Sequence, residues 1–268
     1  MDCKNCNNQL PTNSDFCNTC GGKVIRNRLT FKNLFEHISE TFFNYDNKLL
    51  RTFIDLFKKP EVVIDSYVQG VRKRYVNPVS FFGIILTING LNVFLIQKFY
   101  KKQVDTTEFF KNVETANTEL TQKITAMTSD MSLEYASLLF SLLIPLAAFI
   151  SLIVFFNKKY NYTEHIILYL YSMSIYSILS VVFGQLTLLL IPEKYTFFGL
   201  VMSLFLFIYH CYTYIRLFKL SIAQLILKAL MFLVIGFIIY IGFIIIVFIV
   251  MLGTGYIELQ DFNPKEII

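Results

Sequence analysis

Residues 229–252 read Ala229-Leu-Met-Phe-Leu-Val-Ile-Gly-Phe-Ile-Ile-Tyr-Ile-Gly-Phe-Ile-Ile-Ile-Val-Phe-Ile-Val-Met-Leu252, with no charge and no amide among them. A helix needs about 20 consecutive apolar residues to cross a hydrocarbon core of roughly 30 Å, so this run is long enough to span a bilayer. Four further runs of similar character precede it: Val79 to Gln97, Tyr135 to Phe156, Ile166 to Ile191 and Phe197 to Ile215. The composition agrees. The 268 residues are 55% hydrophobic and only 16% charged, with a mean hydropathy of +0.54, where a soluble domain has about 25% charged residues. The sequence therefore predicts an all-α membrane protein with a five-helix transmembrane bundle over residues 79–252.

The formal charge of +5 invites a nucleic-acid partner, but the distribution of the basic residues argues against one. With the N-terminus inside, seventeen of the 24 Lys and Arg residues fall in cytosolic segments and seven outside, the asymmetry that the positive-inside rule describes. Five spans then leave the C-terminal tail, residues 253–268, extracytoplasmic. Met1 to Asn8 is polar and lacks the charged start, apolar stretch and cleavage site of a secretory signal. Abundant Asn, Lys, Ile, Phe and Tyr with no Trp fit an AT-rich bacterial genome, and with it a bacterial inner membrane.

Upstream of the bundle, residues 1–22 are polar and hold four of the five cysteines. Residues 23–78 read as an amphipathic helical connector lying at the membrane interface. Phe31, Leu34, Phe35, Ile38, Phe42 and Phe43 form one apolar stripe, and Leu49, Leu50, Phe53, Ile54 and Phe57 a second. Pro60 suits the first position of a third helix, and Gly70 lies where that helix would end. Arg72, Lys73 and Arg74 follow, just before the first span, as an interfacial anchor and as candidate contacts for lipid phosphate. Between the first two spans, the extracytoplasmic segment 99–134 has Val113, Leu120, Ile124, Met127 and Met131 at spacings that predict a helix with a narrow apolar seam. Reading along the chain gives no internal repeat.

The sharpest local motif is Cys3-Lys-Asn-Cys6, followed after ten residues by Cys17-Asn-Thr-Cys20-Gly21. Each C-x-x-C turn aims two thiolates at one point, and two such turns facing each other complete a tetrahedral sulfur site. Zinc is the expected metal, held by Cys3, Cys6, Cys17 and Cys20 in a small cytosolic zinc ribbon. Four thiolates leave no open coordination position, so its role is structural, and so small a module needs the metal to fold. Disulfides are the competing reading, but a cytosolic segment is normally kept reduced. Cys211, in the fourth span, reads as a small apolar residue.

Several stretches together resemble a bacterial membrane-protein family known as the domain of unknown function numbered 3667. They are Phe16-Cys17-Asn-Thr-Cys20-Gly21-Gly22, Leu29-Thr30-Phe31-Lys32, Asp46-Asn-Lys48, Thr52-Phe53 and Lys59-Pro60-Glu61-Val62-Val63-Ile64. Ser66-Tyr67-Val68-Gln69-Gly70 and Arg72-Lys73-Arg74-Tyr75-Val76-Asn77-Pro78 continue the match, and Tyr162-Thr163-Glu164-His165-Ile166-Ile167 resembles a later junction. The resemblance implies a zinc ribbon joined to a membrane domain and brings no activity with it. The family often has Gln at the place of Gly22, and a second His beyond Glu-His where this chain has Tyr169 and Tyr171.

Ionisable side chains at membrane depth are expensive and therefore informative. Glu164 and His165 begin the third span, with Thr163 placed to cap it, and His210 lies near the cytosolic end of the fourth among Tyr209, Tyr212 and Tyr214. These three form a candidate polar site at the membrane interface. Asn89, Asn92 and Gln185 offer interhelical hydrogen bonds, and Pro145 a kink. No phosphate loop or nucleophile elbow occurs. The expected function is a non-enzymatic component that docks a protein partner on the cytosolic face and contacts membrane lipid. Transport of a lipid or small solute is the alternative, and lipid modification by Glu164, His165 and His210 a third reading.

Overall fold

A computed structural model describes residues 2–24, 30, 32, 48–100 and 135–253. The chain divides into two compact units, Met1–Asn47 and Lys48–Ile268. The expected stripe over 31–43, the helical segment 99–134 and the tail beyond Gly253 lie outside the described residues, Lys32, Phe99 and Tyr100 apart.

Helices are the regular structure of the second unit among its described residues, joined by short turns. Its α-helices are α1 (Lys48–Lys58), α2 (Pro60–Val68), α3 (Pro78–Phe99), α4 (Ala136–Val154), α5 (Tyr162–Leu190), α6 (Tyr195–Phe218) and α7 (Ile222–Gly253), with a 3-10 turn at Pro192–Lys194. The last five are long and apolar enough to cross a membrane. Their large apolar side chains are widely exposed, among them Leu91, Phe94, Leu142, Leu189 and Phe237. Such a surface suits lipid, because a soluble protein rarely exposes a contiguous apolar patch beyond a few hundred Å². These features make a helical bundle compatible with a multi-pass membrane protein.

Helix boundaries follow local chemistry. Pro60 and Pro78 occupy the first turns of α2 and α3, where a missing N–H costs nothing. The Asn77 side chain accepts from the Val79 N–H at 2.9 Å to cap α3. Gly70, at φ +95, turns the chain after α2. For α5 the cap is Asn161 rather than Thr163. Asn161 Oδ1 accepts from Glu164 N at 3.0 Å and Glu164 Oε2 accepts from Asn161 N at 2.8 Å, a reciprocal capping box. The fifth span starts at Ile222 rather than Ala229, which brings Lys228 into its helix.

Helices α1 and α2 share one hydrophobic core with the spans. Leu56, Val63 and Ile64 are buried together with Phe81, Phe155, Leu168 and Tyr171. The buried stripe of α1 is turned from the one expected, since Thr52 and Leu56 are fully buried while Leu50 and Ile54 are 45% and 38% exposed. Thr52 turns inward because its hydroxyl has work there: it donates to Lys48 O and accepts from Val76 N at 3.1 Å. The last carbonyls of α1 have no intrahelical partner, and two tyrosines of α6 supply one. Tyr209 OH donates to Leu56 O at 3.0 Å and Tyr212 OH to Lys58 O at 3.1 Å. Tyr171 of α5 donates to Val76 O at 2.7 Å, and Tyr160 bonds Asp65. Helix α7 lies outermost, with no buried residue in its most apolar window.

Candidate functional site

In the first unit the four expected cysteines converge. Their sulfurs all lie within 4.8 Å of one another, with Cys3 to Cys20 at 3.7 Å and Cys6 to Cys17 at 3.6 Å. A tetrahedral site with metal–sulfur bonds near ~2.3 Å has sulfur–sulfur edges of roughly 3.8 Å, whereas a disulfide needs about 2.05 Å. The spacing fits a metal ion, and all four cysteines are free thiols.

The two knuckles are built alike. Cys3 N donates to Asn8 O and Asn7 N to Cys3 O; fourteen residues on, Cys17 N donates to Gly22 O and Gly21 N to Cys17 O, all at 2.8–2.9 Å. Isolated bridges Asp2 to Gln9 and Phe16 to Lys23 obey the same offset. So do the positive-φ residues Asn7 and Gly21, at +56 and +69. This repeat was not legible along the sequence, where only the cysteines recur at that offset and the flanking and intervening side chains differ. No strand forms among the described residues; the unit is two paired turns around Cys3, Leu10 and Cys17 with Val24 against them. The Asn8 amide bonds Thr19 across the two turns.

Backbone amides point at the sulfurs. The Cys20 and Thr19 N–H groups lower the Cys17 thiol. The Asn5 side chain and the Gly22 N–H bring Cys20 down to about 6. The Asn8 N–H also lowers Cys6, but hydrogen bonds shared with Cys20, Cys17 and Cys3, together with desolvation of the sulfur by its neighbours, outweigh it and push Cys6 up to about 12. Four thiolates this close repel one another, and a cation at their centre is what allows all four to lose their protons together.

The basic run is exposed. Arg72 donates to Tyr67 O at 2.8 Å with its guanidinium 3.9 Å from the centre of the Tyr67 ring. Arg74 lies 5.4 Å over Tyr75, and Lys73 is exposed between them. Tyr75, held above its ordinary range by burial and by its bond to Asp55 at 2.8 Å, fastens this turn to α1.

Within the bundle, Glu164 is taken up by its capping box, and the two histidines enter one polar cluster. Ser151 Oγ of α4 lies 2.9 Å from His165 Nδ1 and 3.0 Å from Tyr214 OH, which bonds Tyr169 OH at 2.6 Å. His210 stands beside Tyr169, ring centroids 5.1 Å apart. Its Nδ1 donates to Leu206 O at 2.9 Å, which fixes the tautomer so that Nε2 accepts from Ser172 Oγ at 3.0 Å. His165 Nε2 is buried without a partner, beside the rings of Tyr160 and Phe218. His210, Tyr169, Tyr214 and Cys211 line an apolar cavity; His165 does not. The amides lie elsewhere, with Gln185 Nε2 donating to Asn92 Oδ1 at 2.6 Å between α5 and α3. Ser151 and Ser172, the hinges of this cluster, carried no signal in the sequence, since serines are common in membrane helices.

Residues 46–89 match the family described as Protein of unknown function (DUF3667), a stretch that takes in α1, α2, the basic turn and the first half of α3. No curated protein and no solved structure matches the chain.

Proposed function

We propose that this chain is a multi-pass protein of a bacterial inner membrane, N-terminus cytosolic and C-terminus outside, whose zinc-bearing head docks or assembles protein partners without catalysing a reaction. The observation that carries this reading is the closed set of four sulfurs within 4.8 Å. Four thiolates saturate a tetrahedral zinc ion and leave no position for water or substrate, so the ion would hold shape and do no chemistry. Phe16 supports a contact role: it is 59% exposed although it adjoins the ligand Cys17, and exposed aromatic side chains are the usual anchors of protein interfaces.

The polar groups of the bundle support the same choice. Asn92 and Gln185 are spent on each other, and His210 is satisfied on both nitrogens, so they favour packing over a hydrated path. Glu164 is engaged as a helix cap, which takes the proposed acid away from the histidines.

The test is metal analysis and crosslinking on full-length protein in its native membrane. Purified protein should carry one zinc per chain, and Phe16→Ser should retain the zinc while losing crosslinked partners. Partners that persist in both Phe16→Ser and a Cys17→Ser, Cys20→Ser variant would remove the docking role; a different bound metal would remove zinc.

A further inference from the structure

Between α4, α5, α6 and α7 lies a cavity of about 330 Å³, within the ~300–1,000 Å³ typical of small-molecule sites. Its walls are almost wholly carbon, with Ala147, Ile150, Leu206, Phe207, Ala229 and Phe232 among them. On α6 the lining extends from Ser203 to Tyr214, a helical rise of roughly 16 Å. Half of a ~30 Å hydrocarbon core is about 15 Å. The space therefore has the length and chemistry of one acyl chain in one leaflet.

One end of the cavity is charged. Lys228 lines it and donates to Val154 O and Asn157 Oδ1. Lys158 donates to Phe218 O at 3.1 Å, so the two ammonium groups sit on the neighbouring ends of α4 and α6, where the Phe155 and Phe218 ring centroids are 4.8 Å apart. Val154 and Phe218 are the last residues of α4 and α6. Each helix end carries about half a negative charge, so the two offset about one of the two positive charges. Among the described residues no carboxylate pairs with either lysine. About one positive charge is left over at the end where a headgroup would lie.

We propose that the cavity holds an acyl chain of an anionic phospholipid from the surrounding bilayer, its phosphate seated between Lys158 and Lys228. A zwitterionic phospholipid has the same chains but would bring its own cation toward the lysines, so the charge selects between them. The proposal does not depend on the docking role of the cysteine unit.

The experiment places full-length protein in phosphatidylcholine vesicles containing a minor fraction of phosphatidylglycerol, doped with a photoreactive acyl-chain analogue of one lipid or the other. Labelled peptides are then mapped by mass spectrometry. The phosphatidylglycerol probe should label the lining of α4, α6 and α7 about fivefold more than the phosphatidylcholine probe, as expected for about one net positive charge near an anionic headgroup. Lys158→Gln with Lys228→Gln should erase that preference, and the paired Arg substitutions should keep it. Ala229→Phe, which fills the cavity and leaves both lysines, should suppress labelling by either probe. Equal labelling of the unaltered protein by the two probes, or labelling indifferent to Ala229→Phe, overturns the proposal. Both of those outcomes can be read even where the Gln pair does not fold.

Discussion

Arg216 grips Glu61 with both arms of its guanidinium, Nη2 to Oε1 at 2.7 Å and Nε to Oε2 at 3.1 Å, and so ties the last turn of α6 to the first turn of α2. The pair spans 155 residues of sequence. It stands beside the tyrosine bonds to the end of α1, and together they make the segment before the first span part of the bundle's own core.

The ion pair is partly open to solvent, with side chains 45% and 20% exposed, so screening discounts it. Glu61→Gln should cost about 1 kcal/mol or less. Tyr209→Phe should cost more, about 1–3 kcal/mol, because it strands the carbonyl of the fully buried Leu56. Thermal unfolding of the two variants in one detergent gives the ranking; a larger loss for Glu61→Gln would contradict it.

Ser151→Ala should be destabilising by about 1–3 kcal/mol. His165 would then have no partner on either nitrogen, since Nε2 already lacks one. Tyr214→Phe leaves the Ser151 to His165 bond in place and should cost less. Denaturation midpoints compare the two directly.

The amide pair between α3 and α5 should behave as a coupled unit. Asn92→Leu or Gln185→Leu alone orphans one amide, while the double variant removes both. The coupling in a double-mutant cycle should be about 0.6–2 kcal/mol. Strict additivity would mean the bond contributes nothing.

The fourteen-residue equivalence of the knuckles makes a prediction about backbone. Asn7 and Gly21 occupy the same left-handed position, which Asn tolerates and β-branched residues do not. Gly21→Asn should keep the bound metal and Gly21→Val should lose affinity for it. Chelator competition measures both, and protection from hydrogen exchange over residues 2–24 should collapse once the metal is removed.

Legibility in the sequence tracked the range of the interaction. The spans were readable because an apolar run long enough to cross lipid must be helical to satisfy its own backbone. The cysteine cluster was readable because C-x-x-C is a local turn with a fixed bite. Where the reading slipped, a distant partner had decided. Thr52 faces inward because the Val76 N–H lies there. Tyr209 and Tyr212 donate to the carbonyls closing α1, which lie more than 150 residues away in the chain.

The sequence by itself determined the helical spans, the proline and glycine boundaries and the two C-x-x-C turns whose four sulfurs converge, all consequences of hydropathy and backbone rules acting within a few residues. Tertiary structure alone decided which hydroxyls meet which carbonyls and that Ser151 joins His165 to Tyr214. It also decided that Lys228 lines the cavity while Lys158 meets the last carbonyl of α6. Those outcomes depend on how helices far apart in the chain come to pack, and a hydroxyl or an ammonium carries no mark in the sequence of the partner it will find.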